Sequence, residues 1–237
     1  MVMSADAVLA EVVADWRSSG PLPEIIEVIE TVWRTNLDRF EPGALGDDAM
    51  SLGIQCSRNI MNLCVNRFRT RSNEIIVRGG LTLEATYHGR TMHFSKVGPQ
   101  TRSWEPYSID WDSSDVRMDG ARMNAAAYTP MEGTLFDGAT GVTLPGPAGN
   151  PAELRHLHLA WQGLTDTHTR VFVGFPTTGP VPWSAVMLVH DGGAHGGGVP
   201  ISSNETPATR GHDALAEPAL SLRRRTPARE VPGRASA

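Results

Sequence analysis

The chain has 237 residues, of which 40% are hydrophobic and 20% are charged, a composition typical of a soluble globular protein with one or two domains. Its formal net charge of −5 is small, so the overall charge does not indicate a nucleic-acid-binding protein. No apolar run approaches the roughly 20 residues that a membrane helix needs, which excludes a helical membrane protein.

The basic residues and the cysteines indicate a cytoplasmic, bacterial protein. Only Lys96 among the 21 Lys and Arg residues is a lysine, a skew expected from a GC-rich genome. Cys56 and Cys64 lie in one predicted helix, about 12 Å apart along its axis, which is beyond the reach of a disulfide. We therefore expect two small buried thiols in a reducing compartment. The first residues also lack the pattern of a signal peptide.

Three helices are predicted between residues 4 and 70, from helical spacing of apolar residues and from capping residues. Their predicted bounds are residues 4–20, 23–42 and 47–68. The third helix carries one apolar stripe through Leu52 and Cys56 and a neighbouring one through Met50 and Ile54, which predicts packing on two sides. The apolar surface of the first two helices leaves room for a protein partner or a homodimer interface through residues 5–40.

A first set of strands is predicted in residues 74–97. His88-Gly89 is a two-residue hairpin loop of the kind that needs positive φ. The register set by this loop places Glu84 opposite His93 on the polar face of the hairpin. This pair is the candidate catalytic acid–base dyad, and the alternative is a solvated cross-strand contact.

A second set of strands is predicted in residues 154–191. Three short runs of branched and aromatic residues, separated by turn formers, indicate a three-stranded antiparallel meander. We expect this meander to be the hydrophobic centre of the fold.

The sequence thus predicts an α+β fold in which three N-terminal helices pack on antiparallel β-sheet, as one continuous sheet or two. Residues 1–191 form a single domain, with helices in residues 4–70 and a β-rich part in residues 74–191. A short helix is predicted at residues 118–128. Residues 192–237 are rich in Gly and Pro and contain no aromatic residue, which predicts a disordered C-terminal tail.

Histidines in the meander are the candidate metal ligands. His156 and His158 are two apart in a strand, so both imidazoles point to the same face and could reach one divalent metal such as zinc. His190 on another strand is the predicted third ligand. The alternative is a strand face whose histidines only contact solvent.

Arg67, Arg69 and Arg71 end the third predicted helix and are the candidate nucleic-acid contacts. The alternative role of these cations is to stabilise the negative end of the helix dipole. A further arginine run, Arg223–Arg225, lies in the predicted tail.

The sequence contains no complete catalytic constellation, which favours a soluble binding or accessory protein of the cytoplasm. The first alternative is a metal-dependent hydrolase that uses His156, His158 and His190, with Glu84 or His93 for proton transfer. The second alternative is a nucleic-acid-associated protein that uses the arginine cluster.

Overall fold

A computed structural model describes residues 3–71, 74–80, 82–112, 114–129 and 148–193 of the chain. The predicted class is confirmed, because N-terminal helices pack on a mostly antiparallel sheet in an α+β arrangement. The predicted tail lies, from residue 194 onward, outside the described residues. No helix in the described ranges is long and apolar enough to cross a membrane.

The three N-terminal helices are Ala5–Ser18 (α1), Leu22–Leu37 (α2) and Ala49–Phe68 (α3). Ser4 caps α1, and Asp48 caps α3 by accepting a hydrogen bond of 2.7 Å from the backbone N–H of Ser51. These side-chain oxygens satisfy backbone donors that a helix start leaves unpaired. α2 ends before its predicted stop because the following residues form a tighter turn with hydrogen bonds between residues three apart. In this turn the Phe40 N–H donates a hydrogen bond of 3.2 Å to the Leu37 carbonyl.

The apolar faces of α1 and α2 are buried against the sheet of the same chain. Trp16 and Trp33 are at most 1% exposed, as are Leu9 and Ile25. The apolar side chains of residues 5–40 that suggested a partner interface therefore pack in the protein's own core.

One of the two apolar stripes of α3 is exposed at the N-terminal end of the helix. Leu52 and Cys56 face the core, whereas Met50 is 73% exposed and Ile54 is 58% exposed. The prediction that α3 packs on two sides is wrong at this end of the helix. The exposed stripe forms one wall of the pocket described below.

In the described part of the chain, eight strands form a six-stranded main sheet, in the order β1-β2-β3-β6-β7-β8, and a separate two-stranded pair, β4-β5. Their bounds are Ile75–Gly79 (β1), Leu83–Tyr87 (β2), Arg90–Lys96 (β3), Tyr128–Thr129 (β4), Ala148–Gly149 (β5), His156–Gly163 (β6), Thr169–Pro176 (β7) and Trp183–Asp191 (β8).

The hairpin between β2 and β3 has the predicted loop and register. His88 and Gly89 adopt φ values of 45° and 73°, as the predicted two-residue turn requires. Glu84 pairs with His93, and Tyr87 pairs with Arg90. The turn chemistry of two residues therefore fixes which side chains of β2 and β3 share a face.

The two predicted sets of strands form one sheet, but the junction between them is parallel. β6, β7 and β8 make the predicted antiparallel meander, and β3 pairs with β6 in parallel, from Thr91 opposite His156 to Lys96 opposite Trp161. The wholly antiparallel sheet predicted from the sequence is therefore wrong at this one junction. Parallel neighbours need a long crossover connection, which residues 97–155 supply.

A helix in this crossover covers the second face of the sheet. It spans Asp115–Ala127 (α4), close to the helix predicted at residues 118–128. Beside it, Trp111 and Trp183 pack with Ala160 and Phe172 in a second core, on the face of the sheet opposite to α1–α3. β6 and β7 are therefore buried on both faces.

Candidate functional site

The arginine cluster at the end of α3 is paired with carboxylates of α2 and with Glu74, the residue before β1. Arg67 lies 2.8 Å from Glu27, and Arg71 lies 2.6 Å from Glu24 and 3.8 Å from Glu74. Arg69 is exposed. These partly exposed ion pairs fasten α3 to its neighbours and offset much of the positive charge that a phosphate backbone would need.

His190 lies away from the other two candidate metal ligands. Its Nε2 is 2.9 Å from a carboxylate oxygen of Glu30 on α2, so its side chain is on the face of the sheet that the N-terminal helices cover. His158 lies in the second core, with its ring centroid 4.9 Å from that of Trp111. β7 also separates β6 from β8, so the fold does not bring His190 to His156 and His158.

Three candidate histidines, His93, His156 and His158, lie together on the second face of the sheet, opposite to α1–α3. Parallel pairing places His93 opposite His158, and the rings of His93 and His156 stack at a centroid distance of 6.2 Å and an interplanar angle of 6°. Burial lowers the pKa of both His93 and His156, while the charge of Glu84 acts in the opposite direction. In the part of the chain that the structure describes, no group of three His, Cys, Asp or Glu side chains could hold a metal ion.

His158 is paired with a serine that the sequence did not single out. Ser95 Oγ lies 2.7 Å from His158 Nε2, and both residues are buried. Burial, followed by the charges of Arg117 and His93, holds the pKa of His158 well below its usual range. The imidazole is therefore neutral at physiological pH, and the hydrogen bond satisfies two polar groups inside the second core. The interpretation of His158 as a solvent-facing residue is wrong, because the second core covers it.

A pocket opens beside the last residues of β3, beyond the start of β2. β2 begins at Leu83 and pairs with β3 only as far as His93, whereas β3 runs on to Lys96, where β6 is its one paired neighbour among the described strands. The gap between this free edge and α3 has a volume of ≈ 380 Å³, within the size range of small-molecule sites. Its apolar walls include Met50, Ile54, Met61, Phe94 and Trp161.

Lys96 is a partly buried lysine in the lining of this pocket. Its side chain runs under α3, where a Cβ atom added at Gly53 would lie 3.5 Å from Cδ of Lys96. Its ammonium nitrogen lies 5.8 Å from the ring centroid of Trp33. Burial lowers the pKa of this amine. Within the described ranges, no Asp or Glu forms an ion pair with Lys96.

The charged side chains that line the pocket, among the residues that the structure describes, are all basic. Arg58 and Arg117 line it together with Lys96, and no described lining residue is acidic. Arg58 also donates a hydrogen bond of 3.2 Å to the Gly80 carbonyl, which holds its guanidinium near the rim. The pocket thus combines apolar walls with positive charge, an arrangement that can accept an anion attached to an apolar body.

The sequence itself contains a signal that distinguishes Lys96. Met92, Phe94 and Lys96 alternate along β3 and therefore share the face that is otherwise apolar. A charged residue at the end of such a face is informative, because burying a charge without a partner is unfavourable. The size of the pocket could not be predicted, since it depends on the parallel junction and on where β2 begins.

Comparisons with models of protein families, with curated proteins and with solved structures give no match for this chain.

Proposed function

We propose that the protein is a cytoplasmic binding protein for a small organic anion with an apolar body, of the size of hexanoate, held in the pocket between α3 and β3. The observation that carries this proposal is the partly buried ammonium group of Lys96, which has no carboxylate partner in the described ranges. A carboxylate bound in the pocket would supply that partner.

A charged group in an apolar wall loses much of its hydration, and an opposite charge compensates for this loss. Burial disfavours the charged form of a lysine, whereas an opposite charge within about 4–6 Å favours it. An anion therefore gains more from Lys96 than from an exposed lysine, because screening by water is weaker in the pocket. Arg58 and Arg117 add positive charge to the same site.

The apolar walls select the rest of the ligand. Met50 and Ile54 are exposed without a ligand, and an alkyl chain laid against them would remove apolar surface from water. This burial contributes about 0.8 kcal/mol per CH2 group. A short-chain carboxylate matches both halves of the pocket, whereas a bare inorganic anion would use only the charged half.

Calorimetric titration with hexanoate tests the proposal, with hexan-1-ol as the uncharged analogue. Lys96→Met is expected to weaken hexanoate binding by about tenfold or more, which corresponds to ~1.4 kcal/mol. Arg78→Met is the matched control, because Arg78 is exposed on β1 and does not line the pocket. Equal affinity of the wild type and Lys96→Met for hexanoate would contradict the proposal.

A further inference from the structure

We propose that Lys96 forms an imine with the carbonyl group of a small 2-oxo carboxylate that binds in the α3–β3 pocket. This inference rests on the proposed function, since the same pocket must first recognise the anion. It goes further by assigning covalent chemistry to the lysine and by narrowing the ligand class to carbonyl compounds.

The position of the amine supports this chemistry. Lys96 is the only lysine in the chain, and its stem is held between Gly53 of α3 and the sheet. Its nitrogen lies 5.8 Å from the centroid of the Trp33 ring, and among the described residues no carboxylate forms an ion pair with it. An amine at the wall of an apolar pocket is positioned to attack a bound carbonyl carbon.

The protonation state of the amine supports the same conclusion. Only the neutral amine is a nucleophile, and burial lowers the pKa of Lys96 from its ordinary value of 10.5. A larger fraction of this lysine is therefore neutral near pH 7 than of an exposed lysine.

The proposed step balances without an additional reactant. The lone pair of the Lys96 nitrogen forms a C–N bond to the carbonyl carbon as the C=O π bond breaks, and the proton that the nitrogen gives up passes to the carbonyl oxygen, which gives a neutral carbinolamine. The nitrogen lone pair then expels the hydroxyl group, which leaves as water with one proton from the solvent, and a protonated imine remains. No electrons are exchanged with an oxidant or reductant, and water is the only leaving group.

A 2-oxo carboxylate is the ligand class that uses every part of the pocket. Its carboxylate is adjacent to the reacting carbonyl, so the guanidinium groups of Arg58 and Arg117 provide a positive environment for it while Lys96 reacts. Its alkyl chain contacts the apolar wall formed by Met50 and Ile54. An aldehyde without a carboxylate would use only the lysine and the apolar wall.

Reductive trapping with 2-oxohexanoate tests the inference on the full chain. The protein is incubated with this acid and cyanoborohydride, which reduces the iminium to a stable secondary amine, and peptide mass spectrometry locates the adduct. Lys96→Arg gives the reference spectrum, in which the amino-terminal α-amine is the only amine that can react. Calorimetry with hexanoate on the same wild-type sample reports anion binding separately.

The expected result is an adduct at Lys96 whose yield saturates with the concentration of 2-oxohexanoate and is suppressed by hexanoate. The yield of the α-amine adduct is expected neither to saturate nor to change with hexanoate. Hexanoate binding without an adduct at Lys96 would overturn the imine and leave the binding function standing. An adduct at Lys96 that hexanoate does not suppress would overturn reaction within the anion site. Absence of both hexanoate binding and the adduct would overturn both proposals.

Discussion

Ser95 Oγ and His158 Nε2 lie 2.7 Å apart between two neighbouring parallel strands, inside the core that covers the second face of the sheet. Because both side chains are buried, neither atom can exchange this hydrogen bond for one to bulk water. Ser95→Ala is therefore expected to lower the free energy of unfolding by about 1–3 kcal/mol, the usual cost of an unsatisfied buried polar group. Urea denaturation of the purified variant measures the change.

The matched control for this prediction is Thr86→Ala on the same hairpin. The hydroxyl oxygens of Thr86 and Thr91 lie 3.2 Å apart, but these residues are only half-buried, so water can replace the lost partner. A destabilisation by Thr86→Ala as large as that by Ser95→Ala would contradict the special role of the buried pair.

Acid is expected to destabilise the protein through the histidines of the second face. The pKa values of His93, His156 and His158 are all lowered from 6.5 in the folded state, so the unfolded chain binds more protons below that pH. The free energy of unfolding therefore decreases as pH falls through 6.5, until the folded-state pKa values are reached. Glu84 opposes this effect, and Arg117 strengthens it at His158.

The double variant His93→Gln/His156→Gln isolates this contribution. Its free energy of unfolding is expected to decrease less than that of the wild type between pH 8 and pH 5, since two of the three groups no longer titrate. Measurements at pH 8, where the histidines are neutral in both states, report the cost of the substitutions themselves. Parallel pH profiles for the wild type and the double variant would contradict the prediction.

The contact between Gly163 and Trp33 positions the indole ring against which Lys96 lies. A Cβ atom at residue 163 would approach this fully buried ring to within 2.3 Å. Gly163→Ala is therefore expected to cost about 1–3 kcal/mol of stability through overpacking. Gly43→Ala is the control, because a Cβ atom there meets no atom within 4 Å, and its expected effect is within about 0.5 kcal/mol. Thermal or urea unfolding of the two variants checks the difference.

Local patterns predicted the elements of the fold, but not how the two sets of strands meet. The positive φ values that His88-Gly89 favours were enough to fix the pairing of Glu84 with His93. The parallel junction of β3 with β6 depends on a long-range crossover, which no local pattern specifies. For this reason the sequence predicted that His156 and His158 share a strand face, but it did not predict that His93 and Ser95 lie next to them.

The candidate site was predicted less well than the fold because its properties arise from burial. His190 has the same residue type as the other candidate ligands, yet its strand places it on the opposite face, against Glu30. Lys96 was noted in the sequence only as the single lysine, and its place on an otherwise apolar strand face was not used. Its lack of a carboxylate partner among the described residues follows from the packing of α3 over β3.

Nuclear magnetic resonance of the single lysine tests the central claim most directly. Because Lys96 is the only lysine, protein labelled with 13C at lysine Cε gives one lysine side-chain signal, and its titration reports the pKa of this amine. The bound carboxylate is expected to raise the pKa of Lys96, since an opposite charge nearby favours the ammonium form. By linkage, hexanoate affinity decreases as pH rises through this pKa. A titration curve of Lys96 that saturating hexanoate leaves unchanged would contradict the account.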